Sequence, residues 1–265
     1  MSKPFKFKQF TIHQDRCAMK VGTDGVLLGA WTSLHNEPQS ILDIGAGTGV
    51  IALQMAQQSP AETIDAIELD ENAYEQCVEN FEESQWADRL FCYHASLDEF
   101  IQEIEDNYDL IVTNPPFYTE EVTSGNISRD VARQSLSLPF PTLLQSVKKL
   151  LSTKGSFAVI IPFKEEEGFI ALASENNLHL NRLTRVKGTP SSEVKRSLLQ
   201  FSFTKTTVLE TTLVVELKRH AYTQEYQKLT APFYLKNRGF WTVYTRRIWR
   251  CRARPNKLWS YYARN

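Results

Sequence analysis

The sequence predicts an α/β fold: a mostly parallel sheet, covered by helices on both faces, with an antiparallel C-terminal end. Three observations carry this. Strand-like and helix-like runs alternate through the middle of the chain. A glycine-rich turn, Gly45-Ala46-Gly47-Thr48-Gly49, joins the first of those strands to its helix. After residue 176 the alternation gives way to strand-like runs joined by polar turns.

In order, residues 40–44 form a short apolar strand and 49–58 a helix with Val50, Leu53 and Ala56 at helical spacing. Strand 63–69 and helix 71–84, the latter with a charged outer face, repeat the unit, as do strand 90–94 and helix 97–104. Strand 108–113 runs into Asn114-Pro115-Pro116-Phe117. Its two prolines remove backbone donors and end any ladder, so this tetrapeptide sits just past a strand's C-terminal end. Residues 118–138 lack periodicity and read as a long loop of the kind that serves as a lid or binding loop. Helix 139–151, strand 156–161 and helix 164–176 follow, then strands 180–187, 198–204 and 213–217. Nothing splits residues 1–236, which read as one domain with an N-terminal cap segment, 1–35.

Composition narrows the function classes. With 265 residues, 42% of them hydrophobic and 23% charged, the chain can bury one large core. No charge-free stretch is long enough for a bilayer and the N-terminus lacks a signal peptide's apolar run, so a cytoplasmic protein is expected. Cys17, Cys77, Cys92 and Cys251 are scattered without a CxxC pair, which argues against both a disulfide framework and a metal site. The net charge of −1 is unevenly spread: residues 237–265 hold seven arginines, one lysine and no acid, leaving −9 for residues 1–236. A basic, Trp-containing tail suits a polyanion, although a segment foreign to the fold would look equally unpatterned.

The glycine turn is the first chemical signal. Val50 stands where the dinucleotide fingerprint wants its third glycine, and Asp43 precedes the turn, so the run reads DxGxGxG. That pattern resembles class I methyltransferases, a Rossmann-like fold, and implies S-adenosyl-L-methionine as cofactor. The resemblance implies that Asp43 serves the methionyl part of the cofactor, Gly45, Gly47 and Gly49 let backbone approach it, Glu68 and Leu69 border the ribose, and Ser96 meets the adenine.

In Asn114-Pro115-Pro116-Phe117 each residue has a task in methylating a planar nitrogen. Two neutral acceptors, the Asn114 side-chain oxygen and the Pro115 carbonyl, can hold the N–H groups of an amine conjugated to a ring and stabilise the charge that develops on it. Phe117 can stack on the flat substrate once it has left its base stack. The motif resembles sites that methylate adenine N6, guanine N2 of ribosomal RNA, or a glutamine side chain, and does not choose among them.

The flanks choose. Residues 17–31, CAMKVGTDGVLLGAW, and 222–236, YTQEYQKLTAPFYLK, together with the two central motifs, resemble the bacterial tRNA1(Val) (adenine(37)-N6)-methyltransferase family. The resemblance covers roughly residues 5–236 and implies methyl transfer to adenine 37, in the anticodon loop of tRNA1(Val). Lys20 and Thr23 are then expected at the cofactor, with Thr23 or Asp24 capping a helix. Arg129 and Arg133, four apart on the long loop, and Lys195 and Arg196 are candidates for RNA phosphates. A non-catalytic RNA-binding protein is disfavoured because both motifs are intact.

Overall fold

The computed structural model describes residues 3–116 and 138–235. The expectations for the loop 118–137, for Phe117, Arg129, Arg133 and Cys251, and for the tail 237–265 lie outside the described residues.

The chain opens with a small hairpin, β1 (Phe5–Lys6) and β2 (Thr11–Ile12), then helix α1 (Thr23–Trp31). The alternating core follows: β3 (Ser40–Ile44), α2 (Val50–Gln58), β4 (Thr63–Glu68), α3 (Glu71–Glu82), β5 (Leu90–His94), α4 (Leu97–Glu103) and β6 (Tyr108–Thr113). Next come α5 (Phe140–Leu150), β7 (Leu151–Pro162), α6 (Glu166–Glu175), β8 (His179–Lys187), β9 (Val194–Ser202) and β10 (Leu209–Val214). The described chain closes with β11 (Glu216–Lys218), β12 (Ala221–Tyr222) and α7 (Gln224–Thr230).

Eight strands form one sheet in the order β10-β8-β9-β7-β6-β3-β4-β5. The parallel part is as expected, and β9 supplies the antiparallel end by running against both β7 and β8. β10, however, lies parallel to β8. The six-residue link 203–208 leaves β9 where β8 begins and steps past β8, so β10 sets off in β8's direction. Asn181 on β8 fastens that link by donating to the Thr204 carbonyl and the Thr206 hydroxyl at 3.0 and 2.8 Å. β7 also starts five residues earlier than its apolar run, directly after α5, with an irregular register against β6 between Tyr108 and Leu110. Polar Ser152, Thr153 and Lys154 conceal this start in the sequence.

The central parallel strands β3, β4 and β6 are buried on both faces, which explains their mostly apolar composition, whereas β5 and β10 at the sheet edges are largely exposed. On one face α1, α2, α3 and α7 contribute Leu27, Leu28, Leu53, Phe81 and Tyr226 to a core that also takes in Phe7 and Phe10 of the hairpin. On the other, Phe100 of α4, Leu143, Leu144 and Val147 of α5, and Phe169 of α6 pack on Leu42, Ile111 and Phe157. α1 lies close on α2 because Gly29 carries no side chain: a Cβ there would stand 2.2 Å from the Gln54 Oε1.

The two flanking motifs meet in space. Phe7 bridges Tyr234, their rings stack at 5.8 Å, and the Lys8 amide donates to the Phe233 carbonyl at 2.8 Å. Hairpin and C-terminal segment thus close one layer over α1 and α2.

Candidate cofactor and methyl-transfer site

Asp43, one residue before the end of β3, is wholly buried. Its Oδ2 accepts the Ala52 amide at 3.1 Å, and its Oδ1 has no partner among the described residues. Burial pushes this carboxyl up to about 7, with the Ala52 amide opposing and the nearby Glu68 charge adding to the rise. A buried acceptor left open in this way is poised for a cation or an N–H donor.

The turn that follows is pinned to β4 by the Gly45 and Ala46 amides, both donating to the Ile67 carbonyl at 2.9 and 3.0 Å. Gly45 and Gly47 adopt φ of 72° and 57°, and a Cβ on either would meet nothing within 4 Å. The space above them is therefore open to a ligand. Gly49 serves packing instead: at φ 77° a Cβ would lie 2.6 Å from the Phe81 ring and 2.8 Å from the Cys77 Sγ.

Glu68, at the end of β4, faces this turn. Its Oε2 accepts the Gly47 amide at 2.7 Å, and its Oε1 accepts the Leu69 and Asp70 amides, each at 2.9 Å. Three of a carboxylate's roughly four acceptor sites are thus used. Holding both hydroxyls of a ribose requires the Gly47 amide to release Oε2. Leu69 presents an exposed side chain beside it, and Asp70 caps α3 by accepting the Ala73 amide.

Ser96 has another occupation. Its hydroxyl donates to the Glu99 carboxylate at 2.7 Å and accepts the Glu99 amide at 3.2 Å, a capping box at the start of α4. Contact with an adenine would compete with that cap.

Asn114 and Pro115 leave β6 beside the glycine turn because the Thr113 hydroxyl, fully buried, donates to the Ile44 carbonyl at 2.8 Å. Asn114 is half-buried, Pro115 buried and Pro116 half-buried. α1 closes the site from the other side, since a Cβ on Gly25 would come within 4.0 Å of the Asn114 Nδ2. The expected cap of α1 is overturned. Gly22 occupies the N-cap position without a side-chain bond, Thr23 is the first helical residue, and Asp24 instead accepts the Arg196 Nε at 2.8 Å. This pair joins the start of β9 to α1 and gives Arg196 a protein partner, while Lys195 is exposed. Lys20 and Thr23 are exposed on the approach to the site.

The sequence reading missed Gln76 and Asn80. Both are polar, both lie on the buried face of α3, and both hold the segment that precedes α1. The signal was present: they stand four apart, flanking Cys77 and Phe81, in the stripe that should be apolar.

Residues 24–161 match the family model described as the methyltransferase small domain. Relatives named tRNA1(Val) (adenine(37)-N6)-methyltransferase are 56% identical in Christiangramia forsetii and 59% in Flavobacterium psychrophilum. The alignments take 89% and 88% of this chain and 99% of each relative. The chain belongs to the tRNA1(Val) (adenine(37)-N6)-methyltransferase family. The fold agrees with this: a crystal structure described as a predicted O-methyltransferase of Agrobacterium tumefaciens superposes with a TM-score of 0.60 at 16% identity, covering 79% of this chain and 96% of that one.

Membership fixes S-adenosylmethionine as the methyl donor, and the residues fit it. Asp43 offers its open oxygen, the uncovered Gly45 and Gly47 offer room for the cofactor, and the fixed Glu68 carboxylate stands at the lip. Among the described residues no cluster of His, Cys, Asp and Glu is suited to a metal, and no helix is long and apolar enough to cross a membrane.

Proposed function

We propose that this chain transfers a methyl group to N6 of adenine 37 in tRNA1(Val). The observation that carries the reading is the placement of Asn114 and Pro115 beside the glycine turn, held there by the Thr113 bond to Ile44 and closed by α1 at Gly25.

S-adenosylmethionine supplies a methyl group on a sulfonium, an electrophile that needs no further activation. The chain's task is to present the amine. An exocyclic amine shares its lone pair with the purine ring and is a poor nucleophile. The Asn114 Oδ1 and the Pro115 carbonyl accept its two N–H bonds, draw the nitrogen toward a tetrahedral shape, and gain strength as positive charge builds. Both acceptors are neutral at every working pH, so no ionised base is required before transfer. The methylated nitrogen then loses its proton to solvent. Asp43, with its open oxygen, would balance the positive charge of the bound cofactor, and Glu68 would orient its ribose. Phe117, Arg129 and Arg133 are assigned to base stacking and phosphate contact by sequence, and the exposed Lys195 is assigned to a phosphate.

The reading is tested by incubating the protein with labelled S-adenosylmethionine and undermodified tRNA, then analysing nucleosides. N6-methyladenosine in tRNA1(Val) is expected at position 37. Label that stays out of tRNA, or enters protein instead, refutes it.

A further inference from the structure

The segment between β2 and α1 follows a defined course. It runs along α3 from its last turn to its first. At the far end His13 meets Glu83 at 3.1 Å, and both backbone groups of His13 are bound by the Asn80 side chain: the amide donates to Oδ1 at 2.7 Å and the carbonyl accepts from Nδ2 at 3.0 Å. The same Nδ2 also donates to the Thr48 carbonyl, inside the glycine turn, at 2.9 Å. Half-way along, the Arg16 amide donates to Gln76 while its guanidinium reaches Glu79 at 2.6 Å and Glu75 at 3.2 Å. At the near end Cys17 is buried, close enough to Glu68 and Asp70, at and just after the end of β4, for their charges to act on its thiol. The segment then folds back, with the Val21 amide on the Gln14 Oε1 at 3.0 Å, and delivers Gly25 to Asn114.

We propose that residues 13–22 are a strap across the ribose side of the cofactor cleft, with Asn80 as its latch, and that the strap lifts whenever cofactor is exchanged. The inference rests on the cofactor assignment above. An asparagine that pairs with both backbone groups of one residue acts as a one-residue strand, and few side chains could replace it. Because the third bond ends on Thr48, the latch joins the strap to the turn that touches the cofactor. Binding at the turn and closure of the strap therefore favour each other. Asn80 is a positioning residue: it touches neither substrate nor the reacting atoms.

Cys17 reports on the strap. Burial, then the charges of Glu68, Asp70 and Asp15, push its thiol up to about 12, so the closed strap keeps it unreactive. The experiment is pulse labelling of the full chain with N-ethylmaleimide, each cysteine being followed by peptide mass spectrometry, with and without saturating S-adenosylhomocysteine. Product affinity is measured by calorimetry alongside. In the unaltered protein the product should slow labelling of Cys17. Asn80→Ser should speed it and weaken product binding about ten-fold, the order expected when a closing equilibrium loses a net hydrogen bond or two. Cys77, fully buried beneath Gly49, should stay protected.

Arg16→Glu provides a version that leaves the core untouched, since its partners are exposed acids; it should move Cys17 labelling in the same direction by a smaller factor. Unchanged Cys17 labelling in Arg16→Glu, or Cys17 and Cys77 exposed together in Asn80→Ser, overturns the strap. So does product binding without protection of Cys17. Failure of the unaltered protein to bind the product overturns the cofactor assignment instead.

Discussion

Replacing Asp43 by Asn should make the protein more stable and a poorer binder of its cofactor, with both effects growing as pH rises. Asn keeps an acceptor for the Ala52 amide and fills the same space, so the change is almost purely one of charge. The sign follows from the raised carboxyl, from its ordinary 3.8 to about 7. Below the ordinary value the carboxyl is protonated in folded and unfolded chains alike and costs nothing. As pH rises toward 7 the unfolded chain ionises while the folded one resists, and stability falls; above 7 the full penalty is present. The stability advantage of the Asp43→Asn variant should therefore grow from about 0.6 kcal/mol at pH 4 to about 4 kcal/mol at pH 8, an upper bound before relaxation. Urea denaturation of both proteins at pH 4, 6 and 8, without cofactor, reads this directly. Calorimetry supplies the other half: affinity of the unaltered protein for S-adenosylmethionine should climb through neutrality, because a cation favours the ionised carboxyl, and the variant should lose that climb. A stability difference that is flat with pH, or a variant less stable at pH 8, would refute the account of Asp43 as a buried charge held open for the cofactor.

Three further outcomes are expected. Asn114→Ala should leave S-adenosylmethionine affinity nearly unchanged and lower turnover about 100-fold or more, since its bond matters most as charge develops; equal losses in both, by calorimetry and single-turnover kinetics, would remove that role. Gly49→Ala should lower the thermal midpoint far more than Gly45→Ala: both carry the cost of a left-handed backbone, about 1 kcal/mol, but only at Gly49 does the new methyl strike a buried ring and thiol. Lys195→Gln should flatten the salt dependence of tRNA affinity by about one counterion, whereas Arg196→Gln, which releases Asp24 and the start of α1, should lower turnover and leave that slope alone; paired titrations at several salt concentrations separate them.

How much of this was legible in the sequence depended on the range of the interaction. β3 and β6 were readable to the residue because each is a mostly apolar run of strand length bounded by a glycine turn or by prolines. Asp43, the three glycines and Glu68 came from a motif whose members are local to two strand ends. Asp24 was misread as a cap because its partner, Arg196, is 172 residues away and local propensity favours capping. The use of Ser96 as a cap was visible in principle: Ser96-Leu97-Asp98-Glu99 is a capping-box sequence. β10's direction was hidden, since alternation of polarity fixes a strand's faces and says nothing of which way it runs. Asn80 was passed over for a simpler reason: a buried asparagine on a helix carries meaning only once its partners are known.

The set of contacts between residues 5–8 and 231–234 also has a bearing on biosynthesis. Lys8 reaches the Ala231 carbonyl across 223 residues, and Phe7 waits equally long for Tyr234. At bacterial elongation rates that interval is on the order of 10–45 s. During it every strand from β3 to β10, and the glycine turn between β3 and α2, is synthesised. A chain interrupted before α7 would hold the glycine turn while the hairpin kept its partners on the α3 side, Asn80 and Trp86, but lacked Phe233 and Tyr234. A product stopped there would carry the cofactor motif with the layer that covers α1 and α2 incomplete.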